Sequence, residues 1–227
     1  MKILSVADHI DPIVYSSAVR ERFGDVDLVI GAGDLPTDYL DFICTTLGKP
    51  LLFVFGNHNL TGFHDLNRSQ DAYERGRSWT SRSLRGPGGL YIDRKVIRIK
   101  GLLIAGLGGS PWYNGGDNQF TERSMFLRAL GLFPLLLWNR IRHGRYLDLL
   151  VTHAAPFGVQ DGTDRAHLGF KTFVWFMRKF KPRYLIHGHV HLWDRNQPRV
   201  SRFCDTTVVN AYDHVVIEPG ENPDVRS

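Results

Sequence analysis

Short apolar runs that stop abruptly at polar residues recur along this chain, with helix-period segments between them. Lys2 to Ala7 (KILSVA) reads as a buried strand broken at Asp8. Val14, Ala18, Val19 and Phe23 then fall at helical spacing, with Pro12 near the start, which predicts a helix over 12–23. Asp27 to Ile30 is a second strand, followed by Gly31-Ala32-Gly33-Asp34 and a helix from about Pro36 with Leu40, Ile43, Cys44 and Leu47 inward, stopped by Gly48. A third strand, Leu51 to Phe55, ends in Gly56-Asn57-His58-Asn59. Parallel strands joined by crossover helices end on one sheet edge, where ligands collect.

The apolar rhythm is lost from 60 to 89, which reads as a long surface insertion carrying Arg68, Arg75, Arg77, Arg82 and Arg85. Gly89 to Asp93, Val96 to Lys100 and Leu102 to Leu107 are short strands with antiparallel or edge pairing. The glycine-flanked Trp112-Tyr113 after them is either a substrate-contact loop or a turn whose aromatics close the core. Residues 121–143 form helix broken near Gly131 and Pro134. Its dense apolar cluster and basic flank either pack on the domain's own sheet or, over 125–145, meet a membrane surface or partner helix. Leu147 to Val151 is a buried strand ending in Thr152-His153-Ala154-Ala155-Pro156. Asp164 is placed to cap a helix running to Phe180, and Asp161 and His167 at its start read either as groups that support metal ligands or contact substrate, or as capping and loop-ordering groups. Arg199 to Phe203, Thr206 to Tyr212 and His214 to Glu218 are strands completing a second sheet, and 221–227 is a frayed tail.

Composition adds modest constraints. At 227 residues and 43% apolar the chain can bury one full core. MKILSVAD is too short and too soon charged for a signal peptide, and the run Leu132 to Trp138 is too short to cross a bilayer. Cys44 and Cys204 give no disulfide framework, so they read as buried small hydrophobes in a cytoplasmic setting. The net charge of +5 comes from 21 arginines and 7 lysines. Arginine's planar fork suits phosphate oxygens, which makes an anionic substrate or nucleic acid a candidate partner, although the charge is spread without a polybasic block. Nothing in the sequence fixes an oligomeric state.

Tyr184 to His191 (YLIHGHVH) is the densest chemical signal. If the segment stays extended, alternation puts His187, His189 and His191 on one side, with Gly188 allowing close approach. Neutral imidazoles are common transition-metal ligands, and metal sites need more than two. Strand ends supply the rest: Asp8, Asp34, Asn57, His58 and His153.

In order, the blocks Asp8-His9-Ile10, Gly33-Asp34, Gly56-Asn57-His58-Asn59, His153 in THAAP and Gly188-His189-Val190-His191 resemble the calcineurin-like metallophosphoesterases, whose pattern is Asp-x-His, Gly-Asp, Gly-Asn-His-Asp/Glu, a lone His and Gly-His-x-His. The resemblance runs from residue 3 to about 191. It implies an α/β fold, a four-layer αββα sandwich of two mixed sheets flanked by helices, formed by 1–227 as a single domain with a variable insertion or cap at about 60–145. It also implies two divalent metal ions, drawn from Mn, Fe, Zn, Co or Ni with Mn favoured, bridged by Asp34. Asn57, His153 and His189 would hold one, Asp8 and His191 the other. Such a pair, about 4 Å apart, acidifies a bridging water for in-line attack on phosphorus, with His58 as acid.

Two blocks depart from the family pattern. Ile10 stands where an imidazole is expected, and alternation sends His9 to the far side of the strand from Asp8. Asp11 reaches back to complete that set only if the loop turns early. Asn59 replaces the usual acid after His58, and His187 is an addition that reads as a packed imidazole. The leading expectation is a metal-dependent phosphoesterase, with a phosphodiester or phosphorylated small molecule as substrate. The alternatives are a metal-depleted scaffold of the same fold, or a nuclease or nucleic-acid binder.

Overall fold

The structure is a computed structural model that describes residues 1–58, 60, 88–192, 198–219 and 224–226. The insertion proposed from 60 to 89, with its five arginines, lies almost entirely outside the described residues. Two six-stranded mixed sheets face each other. In chain order the strands are β1 (Ile3–Ala7), β2 (Leu28–Gly31), β3 (Leu51–Phe53), β4 (Leu90–Tyr91), β5 (Val96–Ile99), β6 (Leu102–Leu107), β7 (Ser110–Pro111), β8 (Gln119–Phe120), β9 (Leu149–Thr152), β10 (Tyr184–His187), β11 (Val200–Phe203), β12 (Thr206–Asn210), β13 (Asp213–Glu218) and β14 (Asp224–Arg226). The first sheet runs β14-β13-β1-β2-β3-β4, the second β11-β12-β10-β9-β6-β5, and β7 pairs with β8.

Both faces of these sheets are covered, so their strands are apolar on both sides. Along β1, Ile3 and Ala7 point into the core between the sheets, where they meet Ile104, Val151 and Ile186 of the second sheet. Leu4 and Val6 point outward onto α1 (Val19–Phe23) and α2 (Thr37–Leu47). The second sheet repeats the pattern. Leu103, Leu150, Leu185 and Val208 face α3 (Glu122–Gly131), α4 (Phe133–His143) and α5 (Lys171–Phe180). The four-layer αββα sandwich is therefore as expected. Among the described residues no helix is long and apolar enough to cross a membrane.

Several sequence expectations need correction. Only the last turn and a half of the 12–23 helix forms, because Asp11 captures the chain first. Its carboxylate accepts from Ile13 N at 2.7 Å, and its carbonyl accepts from Val14 and Tyr15. The helix expected from Asp164 begins at Lys171. Residues 169–170 are held as a bridge to 155–157, with Phe170 N donating to Ala155 O. The acid that caps α5 is remote: Glu122 of α3 accepts from Lys171 N at 2.6 Å and from the Thr172 hydroxyl at 2.8 Å. Strands β13 and β14 return to the first sheet, β13 antiparallel beside β1 and β14 antiparallel beside β13, so the tail adds an edge strand over 224–226. Cys204 is exposed in the β11–β12 turn.

Candidate metal centre

Strands β1, β2 and β3 are mutually parallel, as are β6, β9, β10 and β12, so the loops that leave them open on a common edge. Those loops carry Asp8, Asp34, Asn57, His58, His153 and His189. Three of these residues leave their strands in the left-handed region, Asp8 at φ 66°, Asp34 at φ 56° and His189 at φ 67°. Non-glycine residues reach it at a cost of about 1–3 kcal/mol each, which surrounding contacts must hold. Here they do: Asp8 N donates to Gly33 O, and His189 N donates to both carboxylate oxygens of Asp8 at 2.9 Å.

Asp34, His153 and His189 converge, with one ligand-type atom from each lying within 4.8 Å of the others. Close approach depends on glycine. A Cβ on Gly56 would overlap Asp34 Oδ1 and sit 2.5 Å from His153 Nε2, and one on Gly188 would sit 2.5 Å from Asp8 Oδ2. Backbone carbonyls orient both rings. His153 Nδ1 contacts Ala32 O at 2.9 Å, which directs Nε2 to the centre. His189 Nε2 contacts Ala166 O at 2.8 Å, leaving Nδ1 as its open nitrogen. The main-chain N–H of His58 donates to Asp34 Oδ1 at 2.7 Å, while the His58 side chain is exposed beside it.

Charge is arranged around that pocket. Burial raises the Asp34 carboxyl, but the His153 charge and hydrogen bonding outweigh it and hold the group at about 2. Burial opposes charge on His153 too, and Asp34 overcomes it, pushing the imidazole up to about 9. Burial lifts Asp8 to about 7, only partly offset by His153. Burial, aided by the His153 charge, drops His189 to about 3, so it stays neutral, the form that ligates.

Asn57 is buried. Its Nδ2 donates to the Tyr113 hydroxyl at 3.2 Å, so the Trp112-Tyr113 loop reaches the centre. Two buried ligand-type atoms have no hydrogen-bond partner among the described residues, Asn57 Oδ1 and His153 Nε2. The latter instead faces the Asp34 carboxylate as an ion pair, 3.2 Å from Oδ2. A carboxylate, two oriented imidazoles and an orphaned amide oxygen are the donor set that a divalent transition metal accepts.

Other expected residues stand apart. Asp8 and His191 lie outside the tight group, and His191 tilts against Tyr212 at 5.0 Å between ring centres. His187 does not line up with His189, because β10 ends at His187 and the left-handed turn at His189 breaks the alternation. Both His187 ring nitrogens have protein partners, Gln160 Oε1 at 2.8 Å and Gly188 O at 2.9 Å, so it is a packed imidazole. His9 pairs with Asp213 at 2.7 Å. Asp11 does turn early, yet its carboxylate is committed to Ile13 N and His214 Nδ1. Asp161 and Asp164 order their loop through Gly169 N, Ala166 N and His167 N. His167 itself comes within 5.1 Å of the His189 ring. The sequence gives no sign of the Ala32 and Ala166 carbonyls, because a backbone acceptor carries no side-chain signature.

An αββα sandwich with a buried Asp-His-His group at its loop edge fits a metal-dependent phosphoesterase. The chain belongs to the calcineurin-like phosphoesterase family, whose pattern matches residues 1–192. It is 26% identical over 202 residues to the UPF0046 protein K07C11.7 of Caenorhabditis elegans, covering 82% of this chain and 62% of that protein. The chain thus spans under two thirds of that relative's length. Among solved structures it is similar to TT1561 of Thermus thermophilus, with a TM-score of 0.64 at 11% identity over 99% of this chain and 97% of that one. An archaeal phosphodiesterase matches at a TM-score of 0.46 and 14% identity over 99% and 98% of the two chains.

Proposed function

We propose that this protein hydrolyses phosphate esters with two divalent cations. Asp34, Asn57, His153 and His189 would hold one of them, and Asp34, Asp8 and His191 would hold the other. The convergence of Asp34, His153 and His189 beside the unpartnered, buried Asn57 Oδ1 carries the reading. Cations held there would acidify a water and neutralise phosphoryl oxygens during in-line displacement. The chain's own groups do the rest. The Ala32 and Ala166 carbonyls hold the two rings in register, the His58 N–H keeps Asp34 aimed, and the exposed His58 imidazole supplies the proton to the leaving oxygen.

A phosphodiester is the substrate we assign. Trp112 is half exposed, with the Arg165 guanidinium 5.8 Å over its ring, and it offers a face to the second organic group that a diester carries. Manganese suits the mixed nitrogen and oxygen donors, as do Fe, Zn, Co and Ni. We read 1–227 as a single domain with an insertion at about 60–145, working in a cytoplasmic setting.

One observation favours a second reading, a scaffold with a depleted metal centre: Ile10 is exposed where the family pattern has an imidazole, and Asp11 is engaged elsewhere. Chelated protein reloaded with manganese, assayed on bis-p-nitrophenyl and mono-p-nitrophenyl phosphate alongside elemental analysis, separates the two. Diester turnover that is lost in His58→Ala supports the enzyme. Less than one bound metal and no turnover with any divalent cation overturns it.

A further inference from the structure

The outermost helices of the second sheet are apolar on the wrong side. Helix α3 buries Met125 and Ala129, and α4 buries Leu136 and Asn139, as helices packed on a sheet should. Their opposite faces are apolar as well. Leu127 is 58% exposed, Trp138 62% and Ile141 72%, with Leu130 and Leu137 exposed beside them. At 100° per residue, Pro134, Trp138 and Ile141 fall on one stripe of α4 that points away from the sheet. The two helices are consecutive, joined at Leu132, and each leaves apolar side chains exposed.

Charge tells what covers it. Residues 121–145 contain five arginines and a single acid, Glu122, whose carboxylate is occupied at the start of α5. Arg128 is paired with Asp93 and Arg145 with Asp148, which leaves Arg123, Arg140 and Arg142 exposed around the apolar stripe. A second copy of the same face would bring these like charges together. An anionic bilayer instead takes up the apolar side chains, seats Trp138 at headgroup level and pairs the arginines with lipid phosphates.

We propose that the outer face of α3 and α4 is a docking surface for anionic membranes, and that the protein works as a peripheral protein at such a surface. This does not depend on the metal centre, and its test reads binding without turnover. The full chain is sedimented with vesicles of phosphatidylcholine alone or with about a quarter phosphatidylglycerol. The expected result is selective binding to the anionic vesicles, weakened by salt, with a blue shift of emission that Trp138→Leu removes.

Arg140→Gln and Arg142→Gln should each weaken binding about fivefold, and Ile141→Asp at least about tenfold. All of these positions are exposed, and unchanged melting confirms that the variants fold. Failure to bind anionic vesicles, or binding that Ile141→Asp leaves untouched, overturns the proposal. So does a solution dimer that Ile141→Asp splits, which would assign the face to a second copy. Retention on polyglutamate as strong as on vesicles overturns it in favour of an acidic protein.

Discussion

Replacing Asp8 by Asn should stabilise the metal-free protein while crippling its metal binding. The Asp8 carboxyl is lifted by burial from 3.8 to about 7, so ionising it in the folded state is unfavourable. That rise corresponds to about 4 kcal/mol by linkage. Asp8 is only half-buried by surface area, and water access reduces the figure to about 2 kcal/mol. Asparagine keeps an oxygen for the His189 N–H, so the turn survives. Below pH 3.8 the carboxyl is protonated in both folded and unfolded chains, and the substitution gains nothing. As pH rises the unfolded carboxyl ionises freely while the folded one resists until about 7, so the natural protein loses stability across that window and keeps the deficit above it.

In chelator at pH 8 the Asp8→Asn protein should therefore melt about 4–8 °C higher, and the gap should close by about pH 4. Manganese should reverse the order. A cation at a hundred times its Kd adds about 2.7 kcal/mol to the natural protein, and the variant lacks one carboxylate of the proposed set. Thermal melts across pH, with and without manganese, give the whole pattern. A variant less stable than the natural protein in chelator at pH 8 would refute the reasoning, because it would mean that ion pairing outweighs desolvation at Asp8.

Other substitutions probe the frame of the site. Gly56→Ala forces a methyl against Asp34 Oδ1 and His153 Nε2, so metal retention measured by elemental analysis should fall more than about tenfold. Gly131→Ala meets nothing within 4 Å and should leave retention unchanged; equal retention by both would sink the steric account. Glu122→Ala removes the acid that caps α5 from another helix. It should cost about 2 kcal/mol, read as a melting point about 4–8 °C lower, with part recovered in Glu122→Gln. An unshifted melt would mean that the cap is dispensable.

The two-sided apolar runs of β1, β2, β3, β9 and β10 announce strands buried on both faces, and the polar residue that ends each announces the edge where chemistry gathers. This much is local. The ordered blocks from Asp8 to His191 sit at those strand ends, and it was their resemblance to the phosphoesterase pattern that implied the αββα layering. What failed were inferences that extended a local period beyond its element. Helical spacing over 12–23 gave way to the turn that Asp11 closes, and alternation through His187, His189 and His191 gave way to a left-handed turn at His189.

The linear order of residues, on its own, determined which side chains are able to bind a metal and that they sit at strand ends, because residue chemistry and period-two burial are properties of the chain itself. Only the tertiary structure decided which of them meet. Asp34, His153 and His189 converge while His187, His9 and Asp11 are claimed by Gln160, Asp213 and His214. It also decided that the carbonyls of Ala32 and Ala166 aim the rings and that Glu122 caps a helix some fifty positions away. Hydrogen bonds of that reach depend on how sheets and helices stack, and no local pattern of residues encodes them.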